Sequence, residues 1–293
     1  MISYAQNGED VVLWRLFKNQ LFGRYIDIGA ADPVEDSVTK HFYDLGWRGV
    51  NVEPDPLFSA ALAEARPEDV NLAVAVSDRA GTAVLHAGDK PHHGLATLEP
   101  EIAERVLGDN RAEIEVPTIT LEALVDEYVS GPVDFLKIDV EGHEKEVIAG
   151  AAWETWRPRA VVVEATLPNT SIPSHERWEA SLLAAEYCCV LFDGINRFYA
   201  QAADLEARAA LSVPANVLDG FVRLELVRRA DELYELQQAH RYCGARISEL
   251  DERVHELEGA LRVRRMRAEQ GRGGAPGASA TSSPVTATKP RAG

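Results

Sequence analysis

The stretch "GRYIDIGAADPVEDSVTK", Gly23 to Lys40, carries the most information in the chain. An apolar run (Tyr25, Ile26, Ile28) enters a turn of small residues and then a segment that reads as the start of a helix, which is how a nucleotide-binding α/β unit opens. It is not the dinucleotide fingerprint. A GxGxxG turn needs its three glycines for the tight bend, the approach to a pyrophosphate and helix packing, whereas Gly29 stands alone before Ala30, Ala31 and Pro33. What this turn holds has to be read from its surroundings.

Further strand candidates follow as far as Phe198: "RGVNVEP", "VNLAVAVSD", "VDFLKIDVEG", "RAVVVEAT" and "YCCVLFDG", several of them apolar almost throughout, as central parallel strands are when helices cover both faces. Between them "DSVTKHFYDLG", "DPLFSAALAEA", "TLEALVDEYV" and "HEKEVIAGAAWETW" read as helices. This βαβ alternation predicts an α/β fold with a doubly wound, mostly parallel, Rossmann-like sheet. "VLHAGDKPHHGLATLEP" reads as an insertion or a strand plus loop, and no role is assigned to His92 or His93.

Ligands of open α/β sheets bind at the carboxyl ends of the strands, so the residues ending each strand matter most. Here they are Asp27 with Gly29, Glu53, Ser77 with Asp78, Asp139 with Glu141, Glu164, and Asp193. An acidic rim repels a pyrophosphate and suits a ligand bearing positive charge and free hydroxyls. That disfavours NAD and favours S-adenosylmethionine. Glu53, 26 residues after Asp27, is placed to accept both ribose hydroxyls, a position NAD enzymes also use. Ala30 and Ala31 leave room for the methionine part, and Ser77 and Asp78 are placed to meet the adenine. Taken singly, each acidic residue also fits a helix cap or a solvated loop.

"SYAQNGEDVVLWRLF", "YIDIGAADP", "GWRGVNVEPDP", "AVAVSD", "TLEALVDEY" and "DFLKIDVEGHEKEVIAGA", in that order, resemble the FkbM family of S-adenosylmethionine-dependent methyltransferases over roughly Ile2 to Tyr199. The resemblance implies a class I methyltransferase fold and O-methylation of a hydroxyl on a sugar or other acceptor in a polysaccharide, glycolipid or glycosylated natural product. It makes Asp27, Gly29, Glu53, Ser77 and Asp78 the cofactor-binding set, with Gln6 to Asp10 closing over the cofactor, and Ala31 in the turn and Asp139 at its strand end are further cofactor-binding candidates.

Methyl transfer to an alcohol requires the oxygen to be oriented and its proton removed. His143 is the candidate base, beside the reading of a first-turn helical histidine in solvent, and Glu164 joins it as a catalytic candidate. Asp139, Glu164 and Asp193 end neighbouring strand candidates and could gather around Mg²⁺, or merely line a polar pocket. The segment "ATLPNTSIPSHERWE" is read as the acceptor loop, with Asn169, His175 and Trp178 as substrate candidates, Trp178 as a sugar-stacking ring; "FDGINRFY" adds Asn196 and Arg197.

After Phe198 the pattern changes. From Leu226, residues seven apart form two columns, and eight of their twelve positions are Leu, Ile or Val with charged residues between, the signature of a coiled coil of about five heptads. A lone solvated helix is the alternative. The expected organisation is a methyltransferase domain over 1–205, a linker over 206–223, a coiled-coil helix over 224–266 that pairs as a homodimer, and a disordered basic tail over 267–293. The formal charge of −17 argues against a nucleic-acid partner, although residues 262–293 alone carry +6. Three cysteines without zinc or disulfide spacing suit a reducing cytoplasm, and no apolar run approaches the roughly 18 residues of a membrane span. Two rivals stay open. An NAD-dependent sugar dehydrogenase or epimerase is weakened by the missing glycines and by the lack of a lysine suitably spaced after Tyr234, and a non-catalytic scaffold for glycan assembly is opposed by the acidic rim.

Overall fold

The computed structural model describes residues 1–88, 95–109 and 111–272, and the chain divides into two units, Met1–Val227 and Arg228–Gly293. In chain order its elements are β1 (Ile2–Ser3), α1 (Glu9–Phe17), β2 (Arg24–Ile28), α2 (Lys40–Asp44), β3 (Arg48–Val52), α3 (Pro56–Ala65), β4 (Val70–Leu72), β5 (Ala75–Ser77), β6 (Gly81–Gly88), β7 (Ala96–Thr97) and α4 (Pro100–Leu107). There follow β8 (Arg111–Thr120), α5 (Leu121–Tyr128), β9 (Phe135–Ile138), α6 (Glu144–Ala149), β10 (Ala160–Glu164), α7 (Glu179–Ala184), β11 (Tyr187–Phe192), β12 (Asn196–Gln201), α8 (Leu205–Ala210), β13 (Val222–Arg223) and α9 (Leu224–Arg272).

Among the described residues, seven strands form one sheet in the order β11-β12-β10-β9-β2-β3-β4. All neighbours run parallel except β12, which is antiparallel to both β10 and β11. From β2 the chain steps outward through β3 to β4, then crosses back to β9 on the other side of β2. A crevice at the strand ends is the usual result of such a reversal. Register aligns the ends: Ile28 sits level with Val52 on one side and Ile138 on the other, so Gly29, Glu53 and Asp139 emerge together.

Alternation along the strands builds two cores. Tyr25, Phe135, Ala160 and Val162 pack with Val12, Leu13, Leu16 and Phe17 of α1, Phe42 of α2 and Ala207 of α8. Their neighbours Ile26, Leu136, Val161 and Val163 face the other way, onto Leu121 and Leu124 of α5, Val147 and Ile148 of α6 and Leu182 of α7. Each buried Val, Leu, Ile or Phe among them contributes about 1.5–3 kcal/mol, which explains why the central strands are apolar on both faces. Asp55 and Thr120 start α3 and α5 as N-caps, accepting from the amides of Leu57 and Ala123.

Several elements differ from the expectation. "VNLAVAVSD" is two strands: the chain leaves the large sheet after Leu72, and β5 pairs instead with β8 in a four-stranded sheet ordered β5-β8-β6-β7. Only Lys40–Asp44 of "DSVTKHFYDLG" is helical, because the buried Arg66 guanidinium donates to Pro33 O, Ser37 Oγ and Thr39 Oγ1 and holds that segment as a loop. Residues 206–223 are no free linker. Ala207 and Leu211 lie in the core, β13 pairs with β1, and Arg15 clamps Asp219 through both carboxylate oxygens while donating to Val213 O and Pro214 O. Part of the expected insertion is now assigned, Val84–Gly88 to β6 and Ala96–Thr97 to β7, while His92 and His93 lie outside the described residues.

The second unit is described as helix as far as Arg272, within α9. The expected tail falls outside the described residues from 273 onward. No helix among the described residues is long and apolar enough to cross a membrane.

Candidate active site

A cavity of about 1020 Å³ opens at the ends of β2, β3, β9 and β10. Its floor is the turn after β2. Gly29 has φ 76°, and a β-carbon there would lie 1.7 Å from the Asp139 carbonyl oxygen, so glycine is required by both backbone conformation and space. The N–H groups of Gly29 and Ala30 donate to Val52 O (2.9 and 3.2 Å), and that of Ala31 donates to Glu53 Oε2 (2.8 Å). Three successive amides that would cradle a phosphate are thus spent inside the protein.

Glu53 is fixed on both sides, its Oε1 accepting from the Asp55 amide (2.8 Å). Burial pushes its carboxyl up to about 7, against the lowering effect of those two backbone bonds. Lys137, buried below the turn, donates to Gly29 O (2.5 Å) and pairs with Asp27 (3.2 Å) and Asp139 (3.6 Å). Burial pulls its pKa down, but the charges of Asp27 and Asp139 outweigh burial and hold it above the ordinary lysine value. Asp27 itself is 1% exposed, accepts from Thr39 Oγ1 (2.8 Å) and does not line the cavity, which corrects its placement among ligand-contacting residues. Its contribution reaches the turn through Lys137.

Beyond Asp139 the wall becomes strongly acidic. Glu141 takes a left-handed φ of 53°, uncommon for a residue with a side chain, and its carboxyl is pushed up to about 9 by burial and by Asp139 and Glu144. Glu164, ending β10, is raised well above the usual carboxylate range by burial first, then by Asp139 and Glu141. One oxygen of each, Oε2, is buried without a hydrogen-bond partner. Thr166, Asn169, Thr170 and Ser171 continue this wall, while Phe58, Val74, Val76, Leu85, Leu95 and Leu98 make the opposite wall apolar.

His143 lines the cavity, yet both ring nitrogens are engaged, Nε2 with Ser77 Oγ (3.0 Å) and Nδ1 with Glu99 Oε1 (2.7 Å). That arrangement leaves no ring nitrogen open to take a proton from a substrate. Ser77 therefore meets His143 rather than lining the cavity, and Asp78 lies beside Arg79 at 3.4 Å. Among the described residues, the group of three His, Cys, Asp or Glu side chains whose donor atoms all lie within 4.8 Å of one another is Glu99, His143 and Glu146. Asp139, Glu164 and Asp193 do not gather in this way. Asp193 turns back on its own loop, accepting from the amides of Ile195 (2.9 Å) and Asn196 (2.7 Å).

The other sequence candidates divide. Gln6, Gly29, Ala31, Glu53, Asp139, Glu164 and Asn169 line the cavity, and Asn169 takes a left-handed φ of 56°. Asp10 does not: it accepts from Ser3 Oγ and the amides of Tyr4 and Val11, fully buried at the start of α1. Asn196 donates to Glu9 Oε1 (2.6 Å) below the surface. Trp178 offers no stacking surface, being 2% exposed and packed edge-on against Tyr199. His175 lies 3.9 Å from Glu179, which also takes Arg197 (2.7 Å), and neither His175 nor Arg197 lines the cavity. Lys137 carries no role in the sequence pattern, and Glu141 stands out there only as a strand-end residue. The available signal was a lysine and a glutamate flanking Asp139 in "LKIDVEG", the glutamate just before a glycine in a tight turn.

Comparison with known proteins adds three findings. None of the curated proteins matches the chain. Among solved structures, magnesium protoporphyrin IX methyltransferase from Synechocystis PCC 6803 with bound SAM is similar at 12% identity and a TM-score of 0.34, over 65% of this chain and 75% of that one. The methyltransferase FkbM domain model matches residues 27–189, which run from the buried Asp27 through the turn, Glu53, Asp139 and Glu164 and so span the greater part of the cavity. By that match over more than half its length, the chain belongs to the FkbM methyltransferase domain family.

Proposed function

We propose that this protein is an S-adenosylmethionine-dependent O-methyltransferase acting on a hydroxyl of a sugar or glycan, and that its large sheet is the doubly wound sheet of the class I methyltransferases. The strand order and the helices on both faces support the second reading. One observation carries the first. The amides of the turn after β2 are consumed by Val52 O and Glu53, so the crevice offers a fixed carboxylate instead of a phosphate cradle.

The residues present fit this cofactor. Glu53, with its remaining lone pairs, can accept from two ribose hydroxyls. The apolar wall of Val74, Val76, Leu85 and Leu98 suits a purine face, and the carboxylates near Asp139 suit an ammonium and a sulfonium. Bound there, S-adenosylmethionine supplies a methyl group made electrophilic by its sulfonium.

The chain's own part is orientation and proton removal. Thr166, Asn169, Thr170 and Ser171 present hydroxyl and amide groups to a polyol. Glu141 and Glu164 are both raised by burial and by Asp139, and a carboxyl raised in this way is a stronger base once ionised. That group, in Glu164 the one nearest the hydroxyl-rich segment in sequence, accepts the proton of the acceptor hydroxyl. His143 is assigned instead to holding Ser77 and Glu99 together beside the apolar wall.

The test is transfer from S-adenosylmethionine labelled in its methyl group to a panel of monosaccharides, glycolipids and polysaccharides, comparing wild type with Glu164→Gln. Transfer to a sugar hydroxyl, slowed about 10²–10⁴-fold in the variant with S-adenosylhomocysteine affinity retained, supports the reading. Equal rates remove Glu164 as base, and label found only on another class of acceptor overturns the sugar assignment.

A further inference from the structure

The second unit carries a surface that the catalytic reading does not use. Along α9 the two heptad columns place Ile247 and Val254 at one core position, a, and Leu250 and Leu257 at the other, d. These four side chains are 49–60% exposed. Seam residues left this open on a long helix are the face that coiled-coil partners bury.

The identities at the seam limit the partner. Over these two heptads β-branched residues at a with leucine at d favour two parallel strands over higher assemblies, while Leu226, Leu233, His240 and Leu261 fill the other a positions and Arg229, Leu236, Cys243 and Arg264 the other d positions. The flanking positions limit it further. Arg246 and Arg253 occupy g, and Asp251 and Glu258 occupy e. In a parallel pair in register, each g residue meets the e residue five positions further along the other helix, so Arg246 faces Asp251 and Arg253 faces Glu258 of the second chain. Antiparallel pairing sets g against g and e against e, arginine beside arginine and carboxylate beside carboxylate. Within the single helix these arginines pair with Glu249 and Glu256 on their own surface.

We infer that α9 is the dimerisation element of this protein and pairs with a second copy of itself as a parallel, in-register, two-stranded coiled coil. The occupant is a second copy because the charge pattern is complementary to itself in that one orientation. This inference does not depend on the methyltransferase reading.

Cys243, a free and exposed thiol at position d, makes the orientation measurable. In a parallel pair every d residue faces its own counterpart, close enough for a disulfide. The full chain under mild oxidation is compared with Cys243→Ser and with Cys243→Ser/Leu257→Cys, alongside light-scattering mass of the unmodified chain. Positions 243 and 257 lie about 21 Å apart along the helix, so an antiparallel pair can align at most one of them. We expect a mass twice the 32.1 kDa of one chain. Covalent dimer should form through Cys243, be lost in Cys243→Ser, and return in the double variant. A dimer cross-linked at only one position, a monomer, or a trimer overturns the proposal.

Discussion

Gly29 and Asp139 meet at the switch between the two halves of the sheet so closely that residue 29 has no room for a side chain facing the Asp139 carbonyl. The same contact brings the Asp139 carboxylate beside Lys137, whose ammonium holds Gly29 O from below. Turn and acidic wall are thereby one unit. Gly29→Ala is expected to destabilise the protein by about 2–4 kcal/mol and to abolish S-adenosylhomocysteine binding, because the strained φ and the backbone collision both act there. Urea unfolding and calorimetric titration read the two effects, and a variant of wild-type stability would contradict this geometry.

Lys137→Met should cost about 3–5 kcal/mol, since it strands the buried Asp27 carboxylate beside Asp139 without a counter-charge. The check is a urea midpoint. A change under about 1 kcal/mol would mean that Asp27 is neutralised in another way.

Affinity for S-adenosylhomocysteine should depend on the Glu53 carboxyl, which burial raises to about 7. Ribose hydroxyls donate to the ionised form. Binding should therefore tighten about ten-fold between pH 6 and pH 8, as the ionised fraction grows. Glu53→Gln should flatten that profile, measured by titration at each pH.

Stability without ligand should move in the opposite direction. Burial raises Glu9 to about 7, Asp10 to about 6 and Glu144 to about 7, so the folded state holds protons that the unfolded chain releases near 4 to 4.5. Their contribution is complete below the unfolded values and lost as pH rises through the folded ones. Asp204 and Asp219, lowered by their hydrogen bonds to Arg159 and Arg15, act the other way and lose their contribution only as pH falls through their folded values below 3.8. The melting temperature should peak near pH 4, between the two sets of values, and fall by about 5 °C or more towards pH 8. Scanning calorimetry across that range tests it, and a rise towards pH 8 would contradict the burial of these carboxyls.

Where the sequence was legible, a local pattern did the encoding. Gly29, Glu53 and Asp139 sit just past apolar runs, and parallel register brings such positions together whatever the loops between them do. Residue type alone did not reveal which way a side chain points. Asp27 alternates onto the face of Tyr25, away from the crevice, where Lys137 and Thr39 meet it. Trp178 looked like a sugar platform because it lies in a polar loop, but Tyr199 covers it in the core. The role of Lys137 is not legible in the sequence because its partner carbonyl on Gly29 is 108 residues away in the chain, a distance at which no periodicity operates.

The central claim is that this crevice holds the adenosyl group of S-adenosylmethionine on Glu53 and not a dinucleotide on the turn amides. Calorimetric titration of wild type and Glu53→Ala with S-adenosylhomocysteine and with NAD tests it most directly. S-adenosylhomocysteine should bind the wild type, its binding should collapse in Glu53→Ala, and NAD should give no heat with either. Binding of NAD, or equal affinity of both proteins for S-adenosylhomocysteine, would contradict it.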